Sequence, residues 1–239
     1  MSPTDGPTSD ALHQADQRLV RTVDSLPDEQ WRAASLLPDW TRAHVIAHLA
    51  LNGEALAATL EAKERGEVRP IYPSQERRDA DIMVLAQRDV AEIRDRLFAA
   101  TSRFRDACAS LLPSQWEGTV LRLPGGPAWP ASTLPGTRLR EVEIHHADLD
   151  LTYSHRDWPA DFAAALLDTV TADHAAGESD AFSIHADDLD RTWSLGAETP
   201  VVSGTAADLG WWLVGRGHGE QLRSSGADLP HLGPWRRAP

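Results

Sequence analysis

Apolar residues recur at spacings of three and four over Ala11 to Leu26, Val45 to Leu60, Ile82 to Leu112 and Leu139 to Tyr153. That is the period of a helix with one buried face, and it predicts four long amphipathic helices. Local signals agree with their ends: Asp39 precedes the second and Gly66 closes it, Pro113 stops the third, and Thr137 opens the fourth. Helices of this length, joined by longer links, imply an antiparallel four-helix bundle. Between the third and fourth, residues 113–135 carry prolines at 113, 124, 127, 130 and 135 together with Gly125 and Gly126. Regular helix is excluded there, and an extended crossover over one end of the bundle is expected.

After Pro159 the period changes. Phe162 to Ala175 reads as one more helix, followed by the strand-like runs FSIHA (Phe182 to Ala186), RTWSLG (Arg191 to Gly196) and PVVSG (Pro200 to Gly204). Ala206 to Val214 is helical again and stops at Gly215. The fold class expected is α+β overall: a disordered tail over 1–10, a four-helix bundle over 11–156, and a small α+β domain over 157–239.

Composition narrows the partners. A formal charge of −13 with no run of Lys or Arg argues against nucleic acid and against an anionic membrane surface. The first ten residues lack the basic start and apolar stretch of a secretion signal. The most apolar stretch, Val45 to Leu60, is broken by His48, Asn52, Gly53 and Glu54 and falls short of the roughly 18 apolar residues of a membrane span. A single cysteine excludes an intramolecular disulfide framework and fits a reducing compartment. The expectation is a soluble, cytoplasmic monomer. Cys108 reads as a small buried hydrophobe, and the nine tryptophans mostly as core filler.

Chemistry concentrates in two segments. In REVEIHHADLDL, Glu141 and His145 are four apart, so a helix sets both on one face a turn apart. Such a pair is often only a surface hydrogen bond, and a third donor changes the odds. The segment WTRAHVIAHLALN offers His44 and His48, again four apart, on a face otherwise occupied by Trp40, Ala47 and Leu51. An imidazole on an apolar face needs a partner, and a metal is one of the few that satisfies it. Asp148 continues the Glu141 face and suits the orientation of a ligand from behind. Two nitrogens and one carboxylate leave a tetrahedral site with an open position, as in catalytic zinc; nickel and iron share much of this preference.

Trp40 to Ala50 (W-T-x-x-H-x-x-x-H-L-A) and Arg140 to Leu149 (R-E-V-E-x-H-H-x-D-L) resemble the mycothiol-dependent maleylpyruvate isomerase family, whose bundle is related to the DinB-like fold. YPSQERRDADI (Tyr72 to Ile82) looks like that family's loop after the second helix. FSIHADDLDRTWSLG and PVVSGTAADLGWWLVGRG look like its small carboxy-terminal domain. The resemblance implies a Zn2+ ion held by His48, Glu141 and His145, with His44 one turn away and not a ligand. His146 points elsewhere round the helix and is expected to be a hydrogen-bonded core histidine. Arg78 and Arg216 stand where the family carries anion-binding or catalytic arginines, and a planar guanidinium suits a carboxylate; adjacent Arg77 reads as a surface charge. Trp40, near His48, and Trp129, in the crossover, are the aromatic candidates for contact with the thiol cofactor.

The same resemblance implies mycothiol as cofactor and a small, carboxylate-bearing electrophile as substrate. A metal-bound thiolate would add to the double bond of maleylpyruvate, the resulting single bond would rotate, and elimination would give fumarylpyruvate and regenerate the thiol. Arg78 and Arg216 would hold carboxylates and offset enolate charge. The rivals are a thiol S-transferase, revealed by a stable conjugate; a hydrolase whose ion activates water, which consumes no thiol; and a non-catalytic, metal-stapled binding module, which would lose stability rather than activity with its ion.

Overall fold

The computed structural model describes residues 7–235, and residues 1–6 of the expected tail lie outside them. The helical periods of the first part become α1 (Pro7–Asp24), α2 (Arg42–Glu64), α3 (Gln75–Ala86), α4 (Val90–Ser110), the short α5 (Pro113–Trp116) and α6 (Leu134–Asp148). Residues 7–10, expected as tail, are already helical.

Two elements depart from the periodic reading. The helix expected over Ile82 to Leu112 is two helices, because the Asp89 side chain accepts a hydrogen bond from Ala91 N at 2.9 Å and caps a fresh start. The proline-rich crossover is also more ordered than an extended link. It holds α5 and an antiparallel hairpin of β1 (Thr119–Leu121) and β2 (Ala128–Pro130), with Val120 opposite Trp129. Gly125, at φ 72°, supplies a left-handed residue that its turn needs. Ile71 N and Tyr72 N donate to Leu121 O and Arg122 O, both at 2.9 Å, so the crossover pins the α2 to α3 link.

Helix α2 is less amphipathic than its sequence suggests: Ala43 through Ala50 are buried without a break. It is the core helix of the first unit, packed mainly against α4, while α1 packs mainly against α6. Gly53 permits this closeness. A Cβ there would stand 3.2 Å from the Ala100 Cβ and 3.4 Å from Arg138 NH2. The Arg138 guanidinium, fully buried, donates through NH1 to Leu49 O (2.8 Å) and Asn52 Oδ1 (2.9 Å). Asn52 in turn donates to the Tyr72 hydroxyl at 3.1 Å.

The chain divides into two compact units, Met1–Thr152 and Tyr153–Pro239. The second contains α7 (Ala160–Ala175), β3 (Phe182–Ala186), β4 (Arg191–Gly204), α8 (Ala206–Leu213) and β5 (Arg223–Ser224). The two strands expected over 191–196 and 200–204 are one extended stretch folded round β3. Phe182 to Ala186 meets Leu195 to Arg191 in descending register on one side, and Ser183 to Ala186 meets Val201 to Gly204 in ascending register on the other. Gly196, at φ 95°, sits at the bend. Among the described residues no helix is long and apolar enough to cross a membrane.

Candidate metal centre

Thr41 starts α2, and its backbone N–H donates to His44 Nδ1 at 3.2 Å, so His44 closes the first turn instead of facing a ligand site. One turn on, His48 is 2% exposed and meets the other long partner of the bundle, α6. Its Nε2 lies 2.9 Å from Glu141 Oε2, and His145 Nε2 lies 3.4 Å from the same oxygen. The two imidazoles meet edge to face with centroids 4.6 Å apart. One ligand atom from each of His48, Glu141 and His145 falls within 4.8 Å of the others, the group among the described residues able to hold a metal ion.

The surroundings fix each ring. His145 Nδ1 lies 2.8 Å from Asp148 Oδ2, and this fully buried carboxylate orients the imidazole so that Nε2 faces Glu141. Arg78 NH2 donates to His48 Nδ1 at 3.4 Å. The Trp40 ring packs edge-on against His48 at 5.9 Å between centroids.

Burial pushes His48 down to about 4, although its hydrogen bond to Glu141 opposes this, so its ring is neutral at pH 7 with one nitrogen protonated and one left as an acceptor. Burial works against the Glu141 carboxylate, yet hydrogen bonds from His145 and His48 outweigh it and hold the group well below the usual carboxylate range. For His145, burial again opposes charge, and the hydrogen bonds to Asp148 and Glu141 win, raising it. A half-buried carboxylate that stays ionised between two imidazoles, with an aspartate behind one of them, is a donor set that fits a divalent cation with nitrogen and oxygen preference.

The structure separates the neighbouring arginines. Arg78 is 19% exposed, reaches His48, and has its guanidinium over the Tyr72 ring at 5.6 Å. Arg77 is 67% exposed and pairs with Asp81 at 2.9 Å on the surface. Arg122 covers Tyr72 at 5.4 Å, a contact that the sequence reading missed because the residue lies in the crossover. Trp129 stands in β2 opposite Val120, and among the described residues no ring contact or hydrogen bond joins it to the histidines. His146 is buried, with Nε2 2.9 Å from Thr22 Oγ1, as a core histidine. Arg216 belongs to the second unit. Its NH1 donates to Val214 O at 2.8 Å, and it lines a cavity of about 280 Å³ with His155, Asp208 and Trp211. Asp16 and Arg138, both buried on helices, were overlooked by the sequence reading, although each lies in register with an apolar stripe.

Residues 12–150 match the family described as mycothiol maleylpyruvate isomerase N-terminal domain, and residues 157–234 match the MDMPI C-terminal domain. No curated protein shows significant similarity to the chain. Among solved structures, the mycothiol-dependent maleylpyruvate isomerase is similar at 26% identity with a TM-score of 0.87, covering 98% of this chain and 100% of that one. A histidine-to-alanine mutant of that isomerase is similar at 25% identity with the same TM-score and coverage.

Proposed function

The chain belongs to the mycothiol maleylpyruvate isomerase family, and from that premise we propose that it is a low-molecular-weight-thiol-dependent isomerase of the maleylpyruvate type. The observation that carries this reading is the convergence of His48, Glu141 and His145, with Arg78 against His48. His48, Glu141 and His145 would hold a divalent ion, zinc by the nature of the donors. When bound, that ion supplies the positive charge that keeps a thiol deprotonated near neutral pH.

The chain's own residues set up the rest. Glu141 stays ionised and offers lone pairs as it stands, whereas neutral His48 would offer Nε2 only as the tautomer that carries its proton on Nδ1. Asp148 fixes the His145 ring. Thiolate sulfur adds to the activated carbon–carbon double bond of an unsaturated dicarboxylate, and the electron pair moves on to the conjugated carbonyl as an enolate. Arg78 offsets that charge or clamps a carboxylate through two parallel donors. Rotation about the new single bond and loss of the same thiolate restore the double bond in trans geometry, with no net consumption of thiol. Arg216, in the second unit, is the other candidate for a carboxylate contact and is tested by its own substitution.

Elemental mass spectrometry of the wild type beside His48→Ala and Glu141→Ala, paired with a maleylpyruvate assay with and without mycothiol, tests the proposal. Near-stoichiometric zinc in the wild type only, with thiol-dependent turnover that falls at least ~10²-fold in both variants, is the expected result. A stable thiol conjugate instead of isomerised product identifies an S-transferase. Turnover without thiol, or a wild type without bound metal, overturns the reading.

A further inference from the structure

Because α1 packs chiefly on α6 and α4 chiefly on α2, α1 and α4 part and leave a cavity of about 570 Å³ between them. This volume suits a small organic molecule. Its walls are largely apolar, with Leu12, Val20, Phe98, Phe104, Ala109 and Pro135 among the lining residues. Polar residues share the lining, from Ser9 and Asp10 to Ser102 and Arg105, and two of them carry a buried atom without a partner. Asp16 is only 8% exposed, and its Oδ1 has no hydrogen-bond partner among the described residues; buried Thr101 Oγ1 likewise has none. Neither belongs to the His48 cluster.

Buried carboxyl oxygens are normally satisfied, and an unpartnered one on a residue that lines a cavity leaves a place for a donor. The charged groups around Asp16 do not fill it. Arg138 on α6 donates through NH1 to Leu49 O and Asn52 Oδ1, and its Nε and NH2 have no partner among the described residues; it acts on Asp16 through space, as do Arg105 on α4, His13 on α1 and Glu143 on α6. Burial pushes the Asp16 carboxyl up to about 6 despite those cations, which shows how much of its negative charge is left uncompensated. At neutral pH it is a carboxylate in an apolar hollow.

We propose that the cavity between α1 and α4 is a second binding site, separate from the metal centre, that takes a small amphipathic cation: an apolar body packed among the phenylalanines and one ammonium group hydrogen-bonded to Asp16 and Thr101. The complementarity is the usual one for such ligands, in which area gives affinity and one buried charge gives orientation.

The test is calorimetric titration of the full chain at pH 7.5 with 2-phenylethylammonium, beside 3-phenylpropionate and 2-phenylethanol, which share its aromatic body. The ammonium is expected to bind with a Kd of about 1 mM or tighter, at least about tenfold better than the anion or the alcohol. Asp16→Asn, which keeps the shape, is expected to erase that preference. Ala109→Trp, which fills the hollow from α4, is expected to abolish binding of all three, and His48→Ala to leave binding unchanged. No saturation by the ammonium in the wild type, equal affinity in Asp16→Asn, or loss on His48→Ala each overturns the site. Thermal melts of every variant confirm that the folded protein is being titrated.

Discussion

Two carboxyl groups of the first unit, Glu141 half-buried and Asp16 buried, titrate in opposite directions. Burial disfavours charge on each. Glu141 overcomes it because two imidazoles donate to it, and it is held well below the ordinary range. Asp16 has the guanidiniums of Arg138 and Arg105 acting through space, but its Oδ1 has no hydrogen-bond partner among the described residues, and it rises to about 6. Proximity of charge did not substitute for a bond. A donor at 2.9 Å outweighs desolvation, whereas a guanidinium that acts only through space does not.

The largest test of the contrast removes the unpaired charge. The folded Asp16 carboxyl keeps its proton up to about pH 6, while the unfolded one loses it near 3.8, so folding takes up a proton between those values. Stability therefore falls as pH rises from about 3.8 to about 6, and stays lower above, by about 2–3 kcal/mol. Asp16→Asn is expected to gain about that much at pH 7.5 and nothing near pH 3.5, read from urea melts at both pH values. An equal gain at both would mean that the carboxylate is not the cause.

A smaller effect sharpens the other half. Asp148→Asn leaves an acceptor for His145 Nδ1 but withdraws its charge. Metal affinity, measured by chelator competition, is expected to fall about 10- to 100-fold with the helices intact. Smallest of all, Arg77→Ala cuts one exposed ion pair and should change stability by no more than about 0.5 kcal/mol and leave turnover alone. A loss of turnover there would reassign the role given to Arg78.

Much of this was legible from residue spacing. Glu141 and His145 stand a turn apart in any helix, and His48 was notable as an imidazole among apolar neighbours. What spacing could not give was the partner of each group. Asp16 follows Leu12 by four and precedes Leu19 by three, and Arg138 precedes Val142 by four, so both lie on buried stripes; a charge in a helix is so commonly solvated that this signal was passed over. The break at Gln87 to Asp89 was hidden because Ile82 and Leu85 before it and Ile93 and Leu97 after it continue one apolar stripe. The hairpin escaped because strands of three residues are too short to show alternation, and their flanking Pro and Gly speak only of irregular chain.

The contact between Arg78 and His48 bears on where a single proton sits. A guanidinium has donors and no acceptor, so its hydrogen bond to Nδ1 places the proton of a neutral His48 on Nε2, turned towards Glu141. For Nε2 to offer its lone pair to a cation, the imidazole must adopt the other tautomer, and an N–H at Nδ1 then confronts a group that can only donate. The two arrangements exclude each other. An ion held at Nε2 would thus cost Arg78 this one contact, leaving the guanidinium its ion pair with Asp79 and its place over the Tyr72 ring.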